Sequence, residues 1–147
     1  MKILIINGPN INMLGIREKG IYGAEDYDAL LARIGRACEA LGVEHACFQS
    51  NHEGAIVDRI QQTWSDGTDA IVINPAAYTH TSVAILDALK AVSKPAVEVH
   101  ISDVNAREPF RQLSYAGMAC EKTIVGHGLA GYEEAIGYLA RKYGTKA

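Results

Sequence analysis

The sequence predicts an α/β protein built on an open five-stranded parallel sheet with helices on both faces. Three observations carry that expectation. Short runs rich in Ile and Val alternate with segments of helical spacing along the whole chain. The central runs, Ala70-Ile71-Val72-Ile73 and Ala96-Val97-Glu98-Val99, are almost continuously apolar, as strands covered on both faces are. The 147 residues show no repeat, linker or low-complexity stretch, so residues 1–147 are expected to form one domain, with too few strands for an eight-stranded barrel.

Strands are expected at Lys2–Ile6, Val43–Gln49, Asp69–Asn74, Pro95–Ile101 and Thr123–Gly126. Between the first two, Leu30, Leu31, Ile34, Ala37, Cys38 and Leu41 form one helical stripe, closed by Gly42 as a C-terminal glycine. Ile56, Val57, Ile60 and Trp64 form a second, with Ser50 expected at its N-cap and Glu53 at N3. Val83, Leu86, Leu89 and Val92 form a third, with Ser82 or Thr81 as its cap. A short helix is expected before the last strand, and Tyr132, Ala135, Ile136, Leu139 and Tyr143 close the chain with a fourth stripe. Right-handed crossovers then give a flavodoxin-like open sheet, in which ligands bind beyond the carboxyl ends of the strands.

Composition removes several classes of function. Lys plus Arg number 14 and Asp plus Glu 17, a net charge of −3, which offers no footprint for nucleic acid or an anionic membrane. No apolar run approaches the ~18–20 residues of a transmembrane helix. Met1–Ile6 runs straight into Asn7-Gly8-Pro9, too short a core for a signal peptide. Three cysteines without CxxC spacing fit reduced thiols in the cytoplasm. Gly126-His127-Gly128-Leu129-Ala130-Gly131 spells GxGxxG, but the following strand and its acidic residue about 20 positions on are missing, so no dinucleotide is expected. The five histidines form no HExxH or i, i+4 pair, and no metal is expected. Only Lys19 lies in a predicted ligand-end loop, a poor place to desolvate a Schiff-base amine.

Polar chemistry gathers at one end of the predicted sheet. Asn7-Gly8-Pro9-Asn10 follows the first strand and leads into a long loop with Arg17 and Tyr22, expected to act as a lid. Asn74, Tyr78, Thr79, His80, Thr81 and Ser82 follow the third strand; His100, Ser102, Arg107 and Arg111 follow the fourth. Glu98 and His100 are i and i+2 on a strand and share a face. A carboxylate there fixes the tautomer and favours the protonated ring, either as a general acid or as a structural ion pair. An arginine near Tyr22 would favour its phenolate, although in isolation an amphipathic tyrosine closing a loop is the plainer reading.

These motifs, taken in order, resemble those of type II 3-dehydroquinate dehydratases (type II dehydroquinases). The resemblance spans essentially the whole chain. It rests on Asn7-Gly8-Pro9-Asn10, Tyr22-Gly23, Gln49–Gly54, Asn74–Ser82, Glu98–Ser102 and Ala106–Arg111. It implies an anti elimination of water from 3-dehydroquinate through an enolate, a step of the shikimate pathway, with no metal or cofactor. Tyr22 would be the base and Arg17 would stabilise its phenolate. Asn10 would hold a water on the enolate oxygen, and His100, oriented by Glu98, would protonate the departing hydroxyl. Asn74, His80 and Asp87 would grip the substrate, Ile101 and Ser102 its carboxylate, and Arg111 its ring hydroxyls, with Arg107 near the tyrosine. The family also implies trimers packed into a homododecamer. Asp103-Val104-Asn105 departs from the family's usual Asn, apolar residue and His, adding a negative charge beside the carboxylate pocket. The stretch Gly117–Lys122 is also unusual. The competing reading, a non-catalytic flavodoxin-like module for a nucleotide or flavin, needs a phosphate-cradling turn; Asn7-Gly8-Pro9-Asn10 has one glycine and a proline that removes a donor.

Overall fold

The computed structural model describes residues 1–16 and 25–144. Five parallel strands, β1 (Lys2–Asn7), β2 (Glu44–Gln49), β3 (Ala70–Asn74), β4 (Ala96–His100) and β5 (Lys122–Val125), form one sheet in the order β2-β1-β3-β4-β5. This is the strand order of flavodoxin-like sheets. Three helices connect the first four strands, α1 (Tyr27–Leu41), α2 (Glu53–Gln62) and α3 (Val83–Val92), and α4 (Ala130–Tyr143) follows β5.

The pleat of β1 sorts its side chains between two cores. Ile3 and Ile5 pack with Leu30, Ile34 and Cys38 of α1 and with Tyr132, Ala135, Ile136 and Leu139 of α4. Leu4 and Ile6 face the other way, onto Ile56 and Ile60 of α2 and Ile85, Leu89 and Val92 of α3. Every side chain of β3 and β4 is buried, each large one contributing about 1.5–3 kcal/mol. Because the chain moves from β1 to one side and then returns past it to β3, the switch point lies between Asn7 and Asn74.

The strands and helices fall where periodicity puts them, while several ends and stripe residues differ. Gly42 closes α1 with φ 67°, its amide on the carbonyls of Cys38 and Glu39. Ser82 caps α3, its side chain accepting from the Ile85 amide at 2.9 Å. Ser50 does not cap α2: His52 holds that position, and the Ser50 hydroxyl accepts from the His52 amide at 3.0 Å in a local turn instead. Trp64 lies past the end of α2 and is 72% exposed. Ile85, not the half-exposed Val83, anchors the first turn of α3. Where one short helix was expected, the segment between β4 and β5 forms three 3-10 turns, at Val104–Ala106, Pro109–Gln112 and Ala116–Ala119. Pro109 at the start of the second, lacking an amide proton, suits such a break. No helix among the described residues is long and apolar enough to cross a membrane.

Candidate active site

A cleft of about 150 Å³ opens beyond the carboxyl ends of β1, β3 and β4. Its lining unites Asn10, Asn74, His80, His100, Ile101, Ser102, Arg107 and Arg111, residues that sequence spacing had placed on three separate loops. Arg17 and Tyr22 lie outside the described residues, as does the later part of the expected lid.

Asn7 and Asn74, register partners at the ends of β1 and β3, build the floor. The Tyr132 hydroxyl from α4 donates to Asn7 Oδ1 at 2.5 Å and accepts from Asn74 Nδ2 at 2.9 Å. Asn74 Oδ1 accepts from the Ala76 amide at 3.1 Å, and the Gly8 amide donates to the Asn74 carbonyl at 2.8 Å. These contacts press the first two loops together. A Cβ on Gly8 would sit 2.3 Å from the Pro75 carbonyl oxygen, so only glycine fits there. Two of the three non-glycine residues with positive φ among the described residues, Asn10 (70°) and Ala76 (54°), line this cleft. Backbone in that region persists where surrounding contacts enforce it, and such positions gather at functional sites. Asn51 helps enforce it: its Oδ1 accepts from the Asn10 amide at 3.0 Å and from Gln49 Nε2 at 3.2 Å, while its carbonyl accepts from the Tyr78 hydroxyl.

The third wall carries the Glu98–His100 pair. Glu98 Oε2 lies 3.1 Å from His100 Nε2, and the two side chains are 1% and 6% exposed. Burial opposes the charge on Glu98 most strongly. The hydrogen bond and charge of His100, then the hydroxyls of Ser114 and Thr123, outweigh it and hold the carboxyl below its usual value. With Nε2 committed to Glu98, Nδ1 remains for a ligand in the cleft. His80 is oriented the other way round. Its Nδ1 donates to the Leu113 carbonyl at 2.8 Å, which leaves Nε2 for a ligand. Arg111 Nε is held by Glu108 at 2.6 Å, leaving its terminal nitrogens for the cleft.

Three residues singled out from the sequence lie outside the lining of this cleft. Glu98 does not line this cleft but stands behind His100. Asp87, one turn into α3, is exposed and is not among the residues that line this cleft. Asp103 is exposed too; its carboxylate accepts from the Asn105 amide at 3.0 Å and caps a turn next to Ser102. Sequence reasoning missed Asn7, Asn51, Ser114, Thr123 and Tyr132. Asn7 and Asn51 stood inside the motifs without a role, Tyr132 left a signal as a polar-tipped member of an apolar stripe, and Ser114 and Thr123 left none.

Among the described residues, no group of three His, Cys, Asp or Glu is arranged to hold a metal ion. The GxGxxG glycines turn β5 into α4. Gly126 and Gly128 have positive φ, and their amides donate to the carbonyls of His100 and Ile101.

Residues 1–140 match the family model described as dehydroquinase class II. The chain is 58% identical over 136 residues to the 3-dehydroquinate dehydratase of Lachnoclostridium phytofermentans, covering 92% of this chain and 94% of that one. It is 53% identical to the 3-dehydroquinate dehydratase of Lachnospira eligens, covering 97% and 99%. Among solved structures, a type II dehydroquinase from Butyrivibrio crossotus superposes with a TM-score of 0.93 at 57% identity, over 95% of this chain and 97% of that one.

Proposed function

The chain belongs to the class II dehydroquinase family, and from that premise we propose that it is a 3-dehydroquinate dehydratase whose chemistry runs in the cleft between Asn10, Asn74 and His100. The reaction is the elimination of water to 3-dehydroshikimate within the shikimate pathway of aromatic amino-acid biosynthesis.

Tyr22, as phenolate, removes the proton beside the substrate ketone, and Arg17 stabilises that phenolate. The electron pair moves onto the ketone oxygen to give an enolate, met by a water that Asn10 holds where the charge develops. His100 then gives its proton to the departing hydroxyl as the enolate collapses, the C–O bond breaks and water leaves. General acid and base groups of this kind contribute about 10²–10⁴-fold each. Asn74 and His80 grip the substrate, His80 through its Nε2. Ser102 and the Ile101 backbone take the carboxylate, and the free end of Arg111 takes ring hydroxyls. Arg107 supports the tyrosine from the cleft wall. No cofactor or metal enters the reaction, and the enzyme is cytoplasmic.

The observation that carries this reading is the buried contact between Glu98 and His100, in which His100 lines a cleft of hydrogen-bonding groups and Glu98 stands behind it. It supplies an acid held in one orientation where a substrate oxygen arrives. The working assembly is a homododecamer of packed trimers. Asp87, exposed on α3, touches substrate only if such packing brings it to a neighbouring copy's cleft.

The test is to add 3-dehydroquinate to the purified protein and follow the conjugated enone absorbance, with borohydride present in a parallel sample. Absorbance should rise, and mass spectrometry should find no reduced adduct on any lysine. A silent protein would remove the dehydratase reading, and a lysine adduct would replace the enolate with a Schiff base.

A further inference from the structure

We propose that Ser114, Gly117 and Thr123 are positioning residues for the dehydration, forming a cradle that keeps Glu98 charged in the interior so that His100 holds the transferable proton. This rests on the reading of His100 as the acid.

A carboxylate 1% exposed is costly to keep ionised, and a neutral pair, protonated Glu98 beside neutral His100, is the alternative that burial favours. That alternative is useless for catalysis, because the remaining N–H of a neutral imidazole is far too weak an acid to protonate a leaving hydroxide. Hydrogen bonds to the charged carboxylate tip the balance the other way. Glu98 Oε1 accepts from the Thr123 hydroxyl at 2.9 Å, and Oε2 accepts from the Ser114 hydroxyl as well as from His100. Thr123 is the register partner of Glu98 on β5, so their side chains share one face of the sheet.

The direction of donation is fixed for Ser114. Its oxygen already accepts from the Gly117 amide at 2.9 Å, so its one proton is free to turn to Glu98. Gly117 is part of the same device by having no side chain. A Cβ there would lie 2.8 Å from Glu98 Oε1 and 2.9 Å from the Ser114 oxygen. The donors are neutral, so they lower the basicity of Glu98 without adding a cation that would compete with the imidazolium.

Glu98 and His100 also border a second cleft of about 430 Å³, behind the first, with Arg111, Ser114, Gly117 and Thr123 in its lining. The two hydroxyls occupy carboxylate lone pairs that would otherwise take a proton from water on that side. Around Glu98 stand His100 on its own strand and Cys120 from the segment between β4 and β5, with Arg111 lining the same cleft; β3 presents Ile73, and Lys122, one residue before Thr123, alternates to the opposite face of the sheet. Arg111 is tied to Glu108, and the Lys122 amine lies over the Tyr138 ring. Burial, then the charge of Glu98, pushes the Cys120 thiol up to about 12, so it stays neutral.

The experiment titrates the Glu98 carboxyl by NMR in substrate-free protein carrying ¹³C-labelled glutamate, with kcat and KM measured alongside. The proteins are wild type, Ser114→Ala, Thr123→Val, the double variant and Thr123→Ser. Each lost hydroxyl should raise the Glu98 midpoint by about one pH unit, and Thr123→Ser should restore it. In the double variant kcat should fall about tenfold with KM within about twofold, as Glu98 becomes a stronger base that holds the ring proton tighter. That loss should deepen as pH falls toward the raised midpoint. An unmoved midpoint in the double variant, or a moved midpoint with unchanged kcat, would overturn the proposal. If wild type did not dehydrate 3-dehydroquinate, the functional reading would fail, while the titration would still decide whether the hydroxyls hold the charge.

Discussion

Glu98 also couples the site to stability. Its carboxyl ionises below the ordinary 4.5, because its hydrogen-bond donors outweigh the opposing effect of burial. In the unfolded chain the group takes up a proton near that ordinary value. The folded state gains from the charge, and that gain is complete above about pH 4.5 and lost as pH falls through the lower folded value. Glu98→Gln leaves His100 without its partner, a change worth about 3–5 kcal/mol for a buried pair. The melting temperature gap between wild type and variant should hold from neutral pH to about pH 5 and narrow toward pH 3. A gap of constant size across that range would mean that the charge contributes nothing. Residues on one strand are readable from the sequence, which is why the i, i+2 spacing found Glu98 and His100. Ser114 and Thr123 reach the same carboxylate from 16 and 25 residues away, a proximity that only the sheet creates.

At the level of elements, α4 does more than cover the sheet. Tyr132 is fully buried in the core, yet its hydroxyl ties the end of β1 to the end of β3. Tyr132→Phe keeps the ring and removes that tie, leaving two asparagine side chains short of a partner. The loss should be about 1–3 kcal/mol, read as a lower midpoint in urea unfolding. kcat/KM should fall with it, since Asn74 loses its hold at the cleft floor. Unchanged stability and kcat/KM would show that the bridge carries no weight. The strands and helices themselves were readable because both apolar periods, two and 3.6, are strong here. Boundaries were less so. Ser50 matched a capping pattern, but the chain turns for two more residues before α2 begins at Glu53. The segment between β4 and β5 has too little periodicity to separate three tight turns from one short helix.

For the molecule as a whole, the strand order puts the switch point between β1 and β3, and most of the candidate site follows from that one fact. The rule that ligands bind at the carboxyl ends of parallel strands selected the loops after β1, β3 and β4, and the cleft lies among them. What could not be read was the depth of support beneath it, because hydrogen bonds between distant buried groups leave no periodic trace. The central claim is that two separate groups do the chemistry, Tyr22 taking the proton and His100 giving one to the departing hydroxyl. Solvent-deuterium exchange at the substrate α-carbon, followed by NMR beside turnover, separates them. His100→Ala should lose turnover by about 10²–10⁴-fold while still exchanging the α-proton, and Tyr22→Phe should lose both exchange and turnover. Near-normal turnover by Tyr22→Phe, or loss of exchange together with turnover in His100→Ala, would contradict the assignment of base and acid.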